Sequence, residues 1–367
     1  MIDIVELAPL LRGALITATG SPVIVRLEDS PADCSITSEG VPCEAALEID
    51  AADLATGAVN DQLKGLPTLP VCLRVKDGAE LLLFSVRALP TGDRPVKGRV
   101  ALVTGGAQGF GEELVRGLVK AGAFVYIADL NIDGAAALST ELNSELGADI
   151  THPLKVDVSN EDSVAALCAQ VATVTGGLDV LVSNAGVLRS ESVLTQSSKD
   201  FRFVTEVNYT AFFLVVKQVA ALLAAQHRTA PTWMTDIVQI NSKSGLEGSN
   251  KNAAYAGSKF GSLGLVQSFA LELVEYGVKV NAICPGNFFE GPLWSDPDNG
   301  LFVQYLRAGK VPGATSIADV KAFYEAKVPM GRGAQGEDVL RALNYLVEQC
   351  YETGQALPVT GGQVMLN

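Results

Sequence analysis

An α/β fold with a doubly wound parallel sheet of about seven strands is predicted for residues 98–367 of this 367-residue chain. Three observations predict it. Short apolar runs alternate strictly with stretches of helical periodicity. The runs are nearly continuous in apolar character, as expected of strands covered on both faces. The chain is 48% hydrophobic, enough to build such a core.

The elements follow in order. VALVTGG (100–106) is a buried strand ending in glycines, and GEELVRGLVKAG (111–122) is a helix. AFVYIADL (123–130), LKVDVS (154–159) and LDVLVSNAG (178–186) are strands; IDGAAALSTELNSELG (132–147) and NEDSVAALCAQVATVTG (160–176) are the helices between them. DIVQINS (236–242), VKVNAICPG (278–286) and ALPVTGG (356–362) complete the set. Right-handed crossovers then wind the sheet in both directions.

Residues 1–97 read differently. Four β-like runs, SPVIVRLED, AALEID, PVCLRV and ELLLFSVRAL, accompany possible helices at 4–12 and 51–65. LPTGDRPVKG (89–98), rich in Pro, Gly and charge, reads as a linker. This region is expected to be a separate small α+β domain of unknown role.

The formal charge is −14, spread over both regions, so no basic footprint for nucleic acid exists. Six cysteines are scattered without a Cys-x-x-Cys pair, and His152 and His227 are the two histidines, so no metal site is expected. Free cysteines suggest a reducing compartment, and MIDIVELAPLLRG lacks the basic start of a signal peptide; a cytoplasmic location is expected. The apolar stretch around 210–226 is interrupted by Lys217 and Gln218, so it is read as a buried helix and not a membrane span.

Chemistry enters at the strand ends. Thr104, Gly105, Gly109 and Gly111 stand between the first strand and its helix. Glycines there permit a tight turn and let the backbone approach a pyrophosphate at the helix N-terminus. Asp129 ends the second strand, where a carboxylate can bind both adenosine ribose hydroxyls and repel a 2′-phosphate; no cation follows it, so NAD is expected over NADP. Asp157 and Asn184 end the third and fourth strands on the same carboxyl edge.

Ser242, Tyr255 and Lys259 follow in INSKSGLEGSNKNAAYAGSKFG. The i, i+4 pair puts a phenol and an ammonium on one helix face. An ammonium at about 4 Å would favour the phenolate by ~4 kcal/mol at an effective dielectric of about 20, bringing Tyr255 towards neutrality.

Together TGGAQGFG, Asp129, the SNAG tetrapeptide (183–186), Asn208 in TEVNYT, Ser242, Tyr255, Lys259 and Pro285-Gly286 resemble the short-chain dehydrogenase/reductase family over about residues 98–367. The resemblance implies a Rossmann-type sheet and nicotinamide-dependent hydride transfer at a carbinol carbon, without a metal. It implies Tyr255 as general acid/base, Lys259 as ribose ligand that depresses the tyrosine, Ser242 as orienter of the substrate oxygen, and Asn208 as support for a water-mediated relay. It extends the cofactor site to Phe110, Val158, Ala185, Gly186, Pro285, Gly286 and Phe288, and places Asn287 at the substrate. It further implies a homodimer or homotetramer packed through helices at about 203–227 and 253–277.

QINSKSG, GNFFEGP, KVPMGRGAQGEDVL and VTGGQVM narrow the resemblance to sugar-phosphate polyol dehydrogenases, which implies a polyol or sugar phosphate as the small-molecule substrate. Gly291 departs from the hydroxyl residue common near the nicotinamide. Lys243 is the cation best placed for a phosphate, with Lys251, Arg307, Lys310 and Arg332 as further candidates, the last three in a lid expected at about 287–335. The alternatives are a reductase for another carbonyl substrate, and a non-catalytic dinucleotide-binding protein.

Overall fold

The computed structural model describes residues 3–28, 44–56, 58, 59, 63, 64, 66, 69, 71–77, 80–298, 300–307 and 309–365. Its centre is a seven-stranded parallel sheet: β5 (Val100–Thr104), β6 (Phe124–Asp129), β7 (Thr151–Lys155), β8 (Val180–Ser183), β9 (Thr235–Ile240), β10 (Val278–Pro285) and β11 (Ala356–Val359). The spatial order is β11-β10-β9-β8-β5-β6-β7, with all pairs parallel. The chain therefore reverses direction between β5 and β8, and ligands of such sheets bind beyond the carboxyl ends at that reversal.

Alternate strand residues feed two cores. Ala101 and Val103 pack with α3 (Gly109–Lys120), α4 (Ile132–Leu146) and α12 (Gly336–Glu348) on one face. Val100 and Leu102 face the other side, with α5 (Glu161–Thr175), α7 (Ala211–Thr229) and α8 (Ala253–Leu273). The third strand differs from expectation: it begins at Thr151 and ends at Lys155. Pro153 is tolerated there because β7 is an edge strand with no neighbour on one side.

The N-terminal region has its own mixed sheet, ordered β1-β4-β3-β2, from β1 (Val23–Glu28), β2 (Glu44–Asp50), β3 (Val71–Asp77) and β4 (Glu80–Ala88). Its helices are α1 (Ile4–Thr19) and α2 (Ala51–Thr56); the rest of the helix expected at 51–65 lies largely outside the described residues. Its core is continuous with that of the large sheet. Leu7, Leu11 and Leu15 share one buried cluster with Val219, Leu222 and Leu223 of α7. Gly13 lies so close to the Gln226 carbonyl and Thr229 of α7 that a Cβ would not fit. The Thr229 hydroxyl donates to Leu10 O at 2.8 Å, and the Thr17 hydroxyl donates to Thr229 O at 2.7 Å.

At the amino edge of the large sheet, Arg12 and Asp179 form a fully buried, two-pronged ion pair at 3.0 and 2.7 Å. Arg12 also donates to Gln226 Oε1 at 2.6 Å and to Val23 O at 2.9 Å. Asp179 further accepts from the Val100 N–H and the Trp233 indole, each at 2.8 Å. One side chain of the first helix thus joins both sheets.

Two other expectations meet the structure here. Cys72 is disulfide-bonded, while Cys168, Cys284 and Cys350 are free. The expectation of uniformly free cysteines is corrected; it rested on spacing along the chain, which does not report proximity in space. The helical stretch Ser198–Thr229 is long and apolar enough to cross a membrane by composition, yet half of its most apolar window is buried inside the molecule. It packs as a core helix of the α/β unit.

Candidate active site

The glycine turn after β5 is shaped by close approach. Gly105 and Gly109 have φ of 63° and 61°, in the left-handed region. A Cβ on Gly111 would strike the Gly105 carbonyl. Asn184 ties this turn to the end of β8: its side-chain amide donates to Thr104 O and Gly105 O, both at 3.0 Å. The buried Thr104 hydroxyl accepts from the N–H groups of Asn184 and Ala185 at 3.0 and 3.2 Å. Thr104, Gly105, Gly111, Asn184 and Ala185 thus form one cradle at the carboxyl edge. Its tightness leaves no room for side chains, which fits a dinucleotide backbone.

Asp129 stands at the tip of β6, half-buried. Its two oxygens accept from the Ala107 and Asn131 N–H groups at 3.0 and 2.9 Å. The carboxylate is therefore oriented over the glycine turn, with lone pairs left for ribose hydroxyls. Asp157 is exposed beyond β7 and turns its own loop, accepting from the Ser159 N–H and hydroxyl at 3.0 and 2.6 Å. Val158 next to it is half-buried and lines the small internal cavity shared with Thr104, Asn208 and Lys259.

The catalytic candidates converge from three elements. Ser242 follows β9; Tyr255 and the buried Lys259 sit on α8; Asn208 sits on a π-helical turn, Glu206–Thr210, between α6 (Ser198–Thr205) and α7. Such a turn inserts a residue into the helix and re-aims the side chain it carries. Asn208 closes a two-way bond with Val187, donating to its carbonyl and accepting from its N–H, both at 2.8 Å. A Cβ on Gly186 would lie 3.3 Å from Asn208 Oδ1 and 3.9 Å from Lys259 Nζ, which places these three together.

The Ser242 side chain lies beside the Tyr255 phenol and acts on it. Burial pushes the Tyr255 phenol up, and Ser242 draws it part of the way back. Lys259 does not supply the depression expected from the sequence. Its Nζ lies 5.7 Å from the Tyr255 ring centroid and donates to Ile240 O at 3.0 Å. The i, i+4 spacing fixes the shared face but not the reach of two side chains. Burial in turn pulls Lys259 down to about 8, with nearby Cys284 acting in the opposite sense.

Pro285 ends β10, and Gly286 is pressed against Thr360 and Gln363. Asn287 is held by the C-terminal segment, its N–H donating to Gln363 Oε1 at 3.3 Å. Phe110 and Phe288 stack face to face across the mouth of the glycine turn, centroids 4.3 Å apart and planes inclined by 16°. Gly291 sits under the Phe288 ring, where a Cβ would collide; a hydroxyl side chain at this position is incompatible with that ring placement. The segment at 287–335 forms three short helices around a core of its own: α9 (Pro292–Ser295), α10 (Leu301–Arg307) and α11 (Ile317–Glu325) pack around Phe289, Trp294, Phe302 and Val320.

Sequence reasoning missed Asn241. It is buried beside Ser242 and braces the site: its Oδ1 accepts the Ser242 N–H at 2.8 Å, and its amide donates to Lys259 O at 3.0 Å and to Ser262 Oγ at 3.1 Å. A polar residue ending an apolar strand was the available signal. Arg332 is paired with Asp338 at 2.6 Å, so its charge is already satisfied.

A glycine cradle and a strand-end carboxylate beside a Ser–Tyr–Lys–Asn cluster are the features of a nicotinamide-dinucleotide-dependent oxidoreductase of the α/β class. Comparison with known proteins agrees: the short chain dehydrogenase family model matches residues 99–293, and the chain belongs to that family. It is 36% identical to sorbitol-6-phosphate 2-dehydrogenase of Escherichia coli (strain K12), over 73% of this chain and 99% of the relative. It is 29% identical to 3-oxoacyl-[acyl-carrier-protein] reductase FabG of Aquifex aeolicus (strain VF5), over 73% of this chain and 98% of that one. Among solved structures, sorbitol-6-phosphate 2-dehydrogenase SrlD from Erwinia amylovora superposes with a TM-score of 0.67 at 37% identity, covering 73% of this chain and all of the other. An actinorhodin polyketide ketoreductase with NADPH superposes with a TM-score of 0.63 at 31% identity, covering 72% and 97%. The N-terminal region is left uncovered by these relatives.

Proposed function

We propose that the protein is an NAD-dependent dehydrogenase that interconverts a secondary alcohol and a ketone on a polyol or sugar phosphate. The observation that carries this reading is the convergence of Ser242, Tyr255, Lys259 and Asn208 beside the glycine cradle. The 36% identity to a sorbitol-6-phosphate 2-dehydrogenase supports the substrate class. Asp129, oriented over the turn and followed by no cation, supports NAD.

The residues divide the work as follows. The cradle of Thr104, Gly105, Gly109, Gly111, Asn184 and Ala185 would hold the pyrophosphate side of the cofactor, with Asp129 on the adenosine ribose and Lys259 on the other ribose. Asp157, Val158, Gly186, Phe110, Pro285, Gly286 and Phe288 complete that site. When bound, the nicotinamide supplies the hydride chemistry. Tyr255 gives a proton to the substrate oxygen in reduction and removes it in oxidation. Ser242, beside Tyr255, orients that oxygen. Asn208 braces the Val187 backbone and supports resupply of the proton through Lys259. Lys243 and Asn287 face the rest of the substrate. The protein works in the cytoplasm as a homodimer or homotetramer, and the exposed Phe213, Phe260 and Leu271 on α7 and α8 are apolar surface suited to burial between copies.

A reductase acting on another carbonyl with NADPH is the second reading, favoured by the NADPH-containing ketoreductase neighbour. Steady-state turnover on a panel of polyols, their phosphates and oxoacyl substrates, with NAD and NADP, decides between them. Turnover confined to oxoacyl substrates with NADPH overturns the proposal.

A further inference from the structure

Four lysines lie on the two segments that flank the candidate catalytic residues in the chain. Lys243 and Lys251 lie in the segment between Ser242 and Tyr255; Lys310 and Lys327 lie on the lid, in the loops that follow α10 and α11. Lys310 Nζ sits 3.8 Å over the Tyr305 ring, and Lys327 Nζ sits 4.2 Å over Phe323 and 5.2 Å over Tyr324. The rings of Tyr305 and Tyr324 are themselves 5.4 Å apart, so the two ammonium groups rest on adjoining aromatic faces.

These charges repel one another. Burial lowers Lys243, the Glu247 carboxylate opposes this, and Lys327 adds a smaller downward effect; Lys310 is lowered by burial, Lys251 and Lys327. Among the described residues, no ion pair is formed by Lys243, Lys310 or Lys327, whereas Lys321 on the same lid pairs with Glu290 and Glu325 at 3.3 and 3.7 Å. Glu247 acts on Lys243 and the exposed Lys310 and Lys327 rest on rings, so the cluster keeps net positive charge that can receive an anion in a chain of formal charge −14. The segment that carries Lys251 is also fixed in place. Lys251 has φ of 57°, the one non-glycine left-handed residue among those described, and its carbonyl accepts the Ser190 hydroxyl at 2.7 Å. Strained backbone held this way is common at ligand clamps.

We propose that Lys243, Lys310 and Lys327 form a subsite for the terminal phosphate of the substrate, with Lys251 at its rim. The subsite rests on the polyol-phosphate reading above and deepens it. Lys243 follows Ser242 directly, so an open-chain substrate whose reacting oxygen lies at Ser242 and Tyr255 directs its far end under the lid. A dianion there joins two walls of the crevice, because Lys243 belongs to the sheet edge and the other two to the lid. The aromatic faces beneath Lys310 and Lys327 hold the ammonium groups in place while leaving their N–H donors free for phosphate oxygens.

The test is reduction of fructose 6-phosphate and of fructose with NADH by the full-length protein and by Lys310→Gln, Lys327→Gln and the double variant. Lys321→Gln serves as control, and NADH binding reports folding. The wild type is expected to favour the phosphate ester in kcat/KM. Each single variant is expected to lower the ratio of the two kcat/KM values about tenfold, the scale of one charge-assisted contact, and the double variant further. Lys321→Gln is expected to keep the ratio. Inorganic phosphate should compete with fructose 6-phosphate in the wild type and weaken as a competitor in the double variant. A wild-type preference that survives the double substitution overturns the subsite and leaves the polyol-phosphate reading standing. Equal turnover of both sugars overturns the subsite. Turnover of neither, with NADH still bound, overturns the subsite together with the reading beneath it.

Discussion

Tyr255 is raised by burial, so in the unliganded protein it is a protonated donor at neutral pH. Tyr255→Phe keeps the ring and deletes the proton. Turnover is expected to fall at least ~100-fold, the usual scale of acid/base catalysis, with NAD affinity nearly unchanged in a fluorescence titration. Full activity would remove Tyr255 from the chemistry. Lys259, drawn down to about 8 by burial, loses its charge at a lower pH than an ordinary lysine. NAD binding to the free enzyme is expected to weaken above pH 8, and this weakening should be absent in Lys259→Met. Asp129→Ala is expected to narrow the preference for NAD over NADP in kcat/KM; an unchanged ratio would mean that Asp129 does not read the ribose. These residues were singled out because each stands at a strand end or at a fixed helical spacing. The electrostatics was not legible. Spacing predicted a phenol depressed by Lys259, whereas the ammonium turns to Ile240 O instead.

At the scale of elements, alternation of apolar runs and periodic stretches located six of the seven strands and misplaced the third by a few residues, because burial on both faces writes itself into composition and an edge strand is covered less fully. Two features escaped it. The π-helical turn that aims Asn208 leaves no periodic signature within five residues. The contact of α1 with α7 depends on Gly13, which reads as an ordinary glycine until the Gln226 carbonyl is seen against it. Gly13→Ala is expected to push these helices apart and lower stability by ~1–3 kcal/mol, the range for overpacking a filled interface, as read by urea unfolding. A neutral effect would mean that α1 yields without loss.

For the whole molecule, the Pro/Gly-rich stretch at 89–98 suggested a region that folds apart. The composition of a linker says nothing about what packs across it, and here a buried ion pair does. Residues 1–97 and the catalytic unit are accordingly proposed to unfold together. Burial alone would push Asp179 up, but Arg12, with Arg99 and the Val100 N–H, holds it down at about 2, below its ordinary 3.8. The pair therefore contributes stability that is present above pH 4 and lost as pH falls towards 2. In Arg12→Met the buried carboxylate loses its main partner, and removal of one member of a buried pair typically costs ~3–5 kcal/mol. Burial then raises Asp179 instead. The deficit of the variant relative to wild type should be largest at neutral pH and shrink on acidification, as Asp179 takes up a proton in the variant before it does so in the wild type. Urea unfolding at pH 7 and pH 5, followed by both tryptophan fluorescence and NAD binding, measures this. Coincident transitions in wild type and a deficit that narrows at pH 5 are expected. Two separate transitions, or a deficit independent of pH, would show that the N-terminal region is a detachable unit and that Arg12 is not its lock.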